Sequence, residues 1–128
     1  MTLGVVWLAA VALTASAPAS RSTRDGVYSS AQAERGEKTY KVKCGTCHMP
    51  DQYKGYVFMQ SWTGQTIFAL YTNLRRTMPK DNPGSLKPQD YADIIAFLLK
   101  INELPSGDAD LKGAKPAMED VVIEGPEK

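Results

Sequence analysis

Cys44-Gly45-Thr46-Cys47-His48 holds both cysteines and the one histidine of a 128-residue chain. Two sulfurs separated by two residues can reach the two vinyl groups of one porphyrin and form thioethers. The imidazole directly after the second sulfur is then held under the iron as an axial ligand, so Cys-x-x-Cys-His reads as a site of covalent haem attachment. Three other readings of the cysteine pair explain less. A structural zinc site takes four protein ligands, and two Cys and one His fall one short. A thioredoxin-like redox pair sits near a βαβ pattern, and none is visible. A plain disulfide leaves His48 without a role. The motif therefore marks Cys44 and Cys47 as cofactor-binding residues and His48 as a metal ligand.

Outward from the motif, the chain reads as helical. Upstream, Ser29 offers an N-cap with Gln32 three residues on, a capping-box pattern, and a helix follows over about 30–43. Gly36 sits inside it, where glycine costs on the order of 1 kcal/mol relative to alanine, which implies close approach of another helix. Downstream, residues 49–62 contain Pro50, Gly55 and several aromatics and read as an irregular loop. Thr63 is placed to cap a second helix over about 64–76, in which Ile67, Leu70, Tyr71 and Leu74 make one apolar stripe. Residues 77–86 hold Pro79, Asn82, Pro83 and Gly84, a loop. Pro88 suits the first position of a third helix and Asp90 its positive first turn. That helix has a wide apolar face through Tyr91, Ile94, Ile95, Leu98 and Ile101, and Pro105 and Gly107 end it. Residues 106–128 show no clear period and read as draped or disordered, with one short strand signal at 121–123. The fold class expected is all-α, three main helices with long loops. So thin a core calls for a staple such as a metal or cofactor, which the motif supplies.

The segment Gly36-x-x-x-Tyr40-x-x-x-Cys44-x-x-Cys47-His48 resembles the start of class I mono-haem c-type cytochromes. Residues 93–100, Asp-Ile-Ile-Ala-Phe-Leu-Leu-Lys, resemble their C-terminal helix, and Thr77-Met78-Pro79 resembles their methionine-ligand loop. The likeness covers about 29–111 and is strongest to periplasmic bacterial cytochromes that serve, or are fused to, dehydrogenases. It implies a cytochrome c-like fold around one covalently bound haem c and its iron, with Gly36 and Tyr40 meeting Ile94 and Phe97 where the first and last helices cross. It also implies Met78 as the second axial ligand. With one His, bis-His ligation is impossible, and a thioether is a soft partner for ferrous iron that raises the potential. Met49 is too close to His48 to reach round; spacing alone leaves Met59 and Met118 open. Two features depart from the family. The interval from His48 to Met78 is short, and no proline in 54–62 is identifiable as the source of the backbone acceptor that often serves the proximal imidazole. A ligating histidine normally donates its other N–H to some acceptor, which the sequence leaves unnamed. Trp62, Tyr53, Tyr56 and Tyr71 are candidates to pack on haem or bond a propionate, and Arg75 and Arg76 to neutralise propionates.

The remaining features bound the function. Val5 to Leu13 is an apolar run too short to span a bilayer comfortably. With the small-x-small pattern at Ala17-Pro18-Ala19 it reads as a signal peptide over 1–19, cleaved before Ser20, the alternative being an uncleaved anchor. The organisation expected is then a flexible lead-in over 20–28, a cytochrome c domain over 29–111 and a C-terminal tail over 112–128. Fifteen Lys and Arg against fourteen Asp and Glu give a net charge of +1, and no basic run of the kind nucleic acid demands is present. Basic residues gather between Arg35 and Lys80, and Lys43, Lys54, Arg75, Arg76 and Lys80 are placed to steer a redox partner. With His48 and both cysteines taken by haem, neither a general base of the usual kind nor a thiol nucleophile remains, so no catalytic residue and no enzyme is expected. The expected function is single-electron transfer in a periplasmic respiratory or dehydrogenase-linked chain. Its donor would be a dehydrogenase or cytochrome complex and its acceptor an oxidase or cytochrome, with no membrane span in the mature chain. A haem subunit of an oxidoreductase complex shares this chemistry. The alternative is a haem c protein with an open sixth site, a gas sensor or peroxidase-like enzyme, which requires Met78 off the iron.

Overall fold

The computed structural model describes residues 20–127; the expected signal peptide, 1–19, lies outside them. The described chain is mostly helical, with α1 at Ser30–Lys43, α2 at Tyr56–Trp62, α3 at Ile67–Thr77 and α4 at Pro88–Ile101. A two-residue strand pair, β1 at Arg21–Ser22 and β2 at Val121–Val122, runs parallel. The all-α expectation holds, with one more helix than the three expected. Residues 49–62 are not wholly a loop: Pro50–Tyr53 form a 3₁₀ turn, and α2 follows. Its period is hard to see because Tyr56 and Val57, both apolar, face solvent while only Phe58 is fully buried.

Helix α1 begins where Ser29 accepts a hydrogen bond from the Gln32 backbone N–H. The capping box is only half made. The Gln32 side chain turns inward, fully buried, and bonds Asp93 Oδ1 at 2.9 Å and both the N–H and the carbonyl of Leu111, each at 2.7 Å. A buried amide must meet its donors and acceptors or cost about 1–3 kcal/mol, and here it ties α1 to α4 and to the segment beyond. Arg35 and Gln89 also reach Asp93, so that buried carboxylate is fully partnered.

Helices α1 and α4 make the main contact. At their crossing a Cβ on Gly36 would stand 1.8 Å from the Asp93 carbonyl oxygen, so only glycine lets the backbones meet. One turn on, the rings of Tyr40 and Phe97 lie 5.3 Å apart, centroid to centroid. Nine consecutive residues of α4, Tyr91 to Leu99, are buried, wider than the expected stripe, because α1, α3 and the returning tail cover it on several sides.

Helix α3 starts three residues later than expected. Thr66, not Thr63, is its cap, accepting from the Ala69 N–H. Thr63 instead closes α2, its N–H bonding the Met59 carbonyl. The two residues between are held by the tail: the Gly64 N–H donates to the Ile123 carbonyl and the Ile123 N–H to the Gln65 carbonyl. The tail is thus packed, not loosely draped. Leu111, Met118, Val121 and Ile123 are all buried, each contributing about 1.5–3 kcal/mol of burial, and only the last two share the strand period expected at 121–123. The lead-in joins it: Thr23, Val27 and Tyr28 are buried, and Thr23 Oγ1 exchanges hydrogen bonds with the backbone of Glu124. Gly107 meets Gly26 so closely that a Cβ would lie 2.0 Å from the Gly26 oxygen. Among the described residues, no helix is long and apolar enough to cross a membrane.

Candidate functional site

Cys44 ends α1, its N–H bonded to the Tyr40 carbonyl. The chain then turns tightly, the Cys47 and His48 N–H groups both returning to the Cys44 carbonyl at 3.0 and 2.9 Å. This turn brings Cys44 half-buried against the core and leaves Cys47 exposed, with neither in a disulfide. Burial pushes the Cys44 thiol up from its usual range. A redox or nucleophilic cysteine needs the opposite shift, so Cys44 is not an activated thiolate.

His48 and Met78 line one cavity together with Cys44. Its other walls are largely apolar, including Phe58, Trp62, Leu70, Ile94 and Leu98. Protein interiors are otherwise close-packed, and a mostly apolar cavity with a few convergent polar groups is the usual form of a cofactor site. A more open cleft adjoins it and shares Cys44, His48 and Met78; Cys47, Lys43 and Lys80 line this cleft. A flat apolar macrocycle with one edge toward solvent fits such a space. Cys44 and Cys47 beside it and the imidazole and thioether in its wall are a donor set that fits haem c.

Both candidate ligands are held by tyrosines. Tyr40 donates from its hydroxyl to the His48 carbonyl at 3.0 Å, and Tyr53 Oη lies 2.8 Å from His48 Nδ1, the two rings edge to face. Burial, then Tyr53 and Cys44, push Tyr40 up to about 12; burial and then Cys44 raise Tyr53. Both phenols are neutral at physiological pH. Met78 follows the last turn of α3, with its N–H on the Leu74 carbonyl. Its own carbonyl accepts from the Tyr91 hydroxyl at 2.7 Å and from the Gly84 N–H at 3.2 Å. Tyr91 is buried, so the loop carrying Met78 is fastened to α4.

The other methionines are elsewhere. Met118 is fully buried among core residues, with its carbonyl accepting from the Phe68 N–H. Met59 packs near Thr63 and Gly125, and Met49 is exposed. Of the aromatic candidates, Trp62 and Tyr53 line the cavity. Tyr56 is exposed, and Tyr71 lies against Phe68 and Tyr91 with Arg75 over its ring. Of the five basic residues expected to steer, Lys43 and Lys80 stand at the cleft. Lys54 pairs with Asp51, and Arg75 and Arg76 line a separate surface depression beside Phe68 and Tyr71. Sequence reasoning missed the holding roles of Tyr53 and Tyr91. Pro50 was the one local hint for the first, since it opens the 3₁₀ turn that ends at Tyr53.

A family model described as "Cytochrome C oxidase, cbb3-type, subunit III" matches residues 31–98, more than half of the chain. The chain belongs to this family of c-type cytochrome domains. It is also similar to a curated protein named "Cytochrome c" from Gossypium barbadense, with 28% identity over 96 residues covering 52% of this chain and 86% of that protein. No solved structure matches it significantly. Membership establishes the cytochrome c-like fold expected from the resemblance and a haem-based electron-transfer role. The matched span includes the crossing glycine, the Cys-x-x-Cys-His turn, Met78 and most of α4.

Proposed function

We propose that this cytochrome domain carries single electrons on one haem c, held by thioethers from Cys44 and Cys47 and ligated by His48 and Met78. The observation that carries this reading is the cavity itself: one imidazole and one thioether share its apolar wall with a cysteine at its rim. When bound, the haem supplies a site that takes up and releases one electron. The chain does the rest. The turn at 44–48 sets the two sulfurs and the imidazole in fixed relation. The apolar walls exclude water, and Tyr91 keeps the Met78 loop closed over the site. His48 and Met78 would both hold the iron, which would keep small molecules from the metal. The sequence pattern of 1–19 points to export, placing the carrier in the periplasm of a dehydrogenase-linked or respiratory chain.

Intact mass of the protein from periplasmic material, after acid–acetone extraction, tests the attachment and the export together. The expected mass is that of a chain starting at Ser20 plus one haem. A haem-free mass overturns covalent attachment, and an intact Met1 overturns cleavage.

Lys43 and Lys80 flank the cleft through which Cys47 meets solvent, and the electron is expected to pass at that edge. The partner is then an acidic surface on a donor or acceptor protein. Steered association falls steeply with ionic strength. The bimolecular rate of reduction by the native partner is expected to drop with added salt, and Lys43→Glu with Lys80→Glu to flatten the dependence. A wild-type rate indifferent to salt would argue for apolar docking instead.

A further inference from the structure

His48 is held at two atoms, and the two holds differ in kind. Tyr40 bonds its carbonyl and so places the backbone. Tyr53 bonds its ring nitrogen Nδ1 and so acts on the imidazole itself. An imidazole that ligates through Nε2 carries its proton on Nδ1, so the bond then runs from His48 Nδ1–H to the Tyr53 oxygen. Tyr53 does not hang free. Its backbone carbonyl accepts from Asn102 Nδ2 at 2.8 Å, and Asn102 Oδ1 accepts from the Gly55 N–H at 2.7 Å. Asn102 is itself buried at the end of α4, with Nδ2 also on the Leu98 carbonyl at 2.8 Å. Every polar atom of that amide is engaged, so the turn at 50–55 is clamped to the helix that walls the cavity.

We infer that Tyr53 is the positioning residue of the proximal imidazole: its phenol oxygen accepts the His48 Nδ1 proton and sets the ring's orientation and donor strength, while Asn102 holds the turn in place. The inference rests on the proposal that His48 is an iron ligand. It assigns the acceptor to a side chain, so the interaction can be removed by deleting one oxygen. A hydrogen bond accepted from Nδ1–H makes the imidazole a stronger donor. Stronger donation favours the ferric form. Without the acceptor the ferrous form gains and the potential rises.

The test uses holoprotein of wild type, Tyr53→Phe and Asn102→Ala. In ¹⁵N-histidine-labelled ferrous wild type, the His48 Nδ1–H is expected to exchange slowly with solvent, and its ring protons to show haem-shifted resonances. In Tyr53→Phe the Nδ1–H should exchange at least tenfold faster. Its potential should rise by a shift in the ferrous-to-ferric ratio of about tenfold, or about 59 mV for one electron. Asn102→Ala should move both readouts the same way by less, because it loosens the turn without deleting the acceptor. Unchanged exchange and potential in Tyr53→Phe, with the haem-shifted His48 resonances retained, overturn the inference and leave the ligand assignment standing. Loss of those shifts in wild type overturns the ligand assignment, and the inference with it. If Tyr53→Phe fails to mature, the wild-type exchange rate decides: a His48 Nδ1–H as labile as that of free imidazole overturns the inference.

Discussion

Met78→Ala lowers the reduction potential, abolishes the weak near-infrared sulfur-to-iron band of the ferric protein and lets carbon monoxide bind the ferrous protein. The expectation follows from the two residues that share the cavity wall, His48 and Met78. A thioether is a soft donor that stabilises the ferrous form. Its loss should cost that form on the order of a hundredfold in relative stability, about 120 mV at 59 mV per tenfold. The fold should survive, because Met78 is only half-buried and its loop is fastened by a backbone bond from Tyr91. Met59→Leu and Met118→Leu serve as controls. Met118 lies in the core, so its substitution is expected to cost less than about 1.5 kcal/mol as a volume-conserving swap and to leave the potential alone. Spectra, potentiometry and carbon monoxide titration of the three variants decide the matter. Wild type that already binds carbon monoxide readily, with Met78→Ala changing neither spectrum nor potential, would replace the carrier by the open-site sensor or peroxidase-like reading.

Gly36→Ala is expected to be the most damaging glycine-to-alanine change among the described residues. The new Cβ would sit 1.8 Å from the Asp93 carbonyl oxygen and 2.4 Å from its carbon. These are backbone atoms of a helix buried along nine residues, so no side chain can swing aside. Relief requires α1 and α4 to separate, which opens the Tyr40–Phe97 contact and displaces the Cys44 turn that ends α1. Overpacking typically costs about 1–3 kcal/mol, occasionally more; a backbone collision of this depth belongs at or above about 3 kcal/mol. For a domain of this size that lowers Tm by more than about 10 °C, measured by thermal unfolding of the holoprotein. Lys38→Ala, exposed on the same helix, should stay within about 0.5 kcal/mol of wild type. A Gly36→Ala variant with unchanged Tm would mean that the helices do not cross here.

Much of this was legible in the linear chain because it is local. Five consecutive residues, 44–48, make up the proposed attachment motif. Apolar residues at helical spacing marked α3 and α4, and a glycine in mid-helix marked the crossing with its partner Tyr40 one turn away. The resemblance carried by 36–48, 77–79 and 93–100 singled out Met78, which lines the same cavity as His48. What was misread shares a cause. In α2 the apolar residues Tyr56 and Val57 point outward, so hydrophobicity and burial part company and the period disappears. The start of α3 was misplaced by three residues because Gly64 and Gln65 bond the tail at Ile123, a partner almost sixty residues away. Residues 106–128 read as draped or disordered because they show no clear period; Val121 is instead held by β1 and Ile123 by Gly64 and Gln65.

The same division runs through the candidate site. Which atoms can bond or ligate is a property of residue type and short spacing, so the thiols, the imidazole and the preference for a thioether were readable without coordinates. Which groups orient those atoms depends on contacts between segments far apart in sequence. Tyr91 reaches Met78 across thirteen positions, Asn102 reaches the Tyr53 turn across forty-nine, and Gln32 reaches Leu111 across seventy-nine. Even Tyr53, five residues from His48, finds Nδ1 only because that turn is clamped from α4. No local pattern encodes such meetings. They arise once the crossing of α1 and α4 has set where the remaining chain can pack, and buried polar groups must then find partners there.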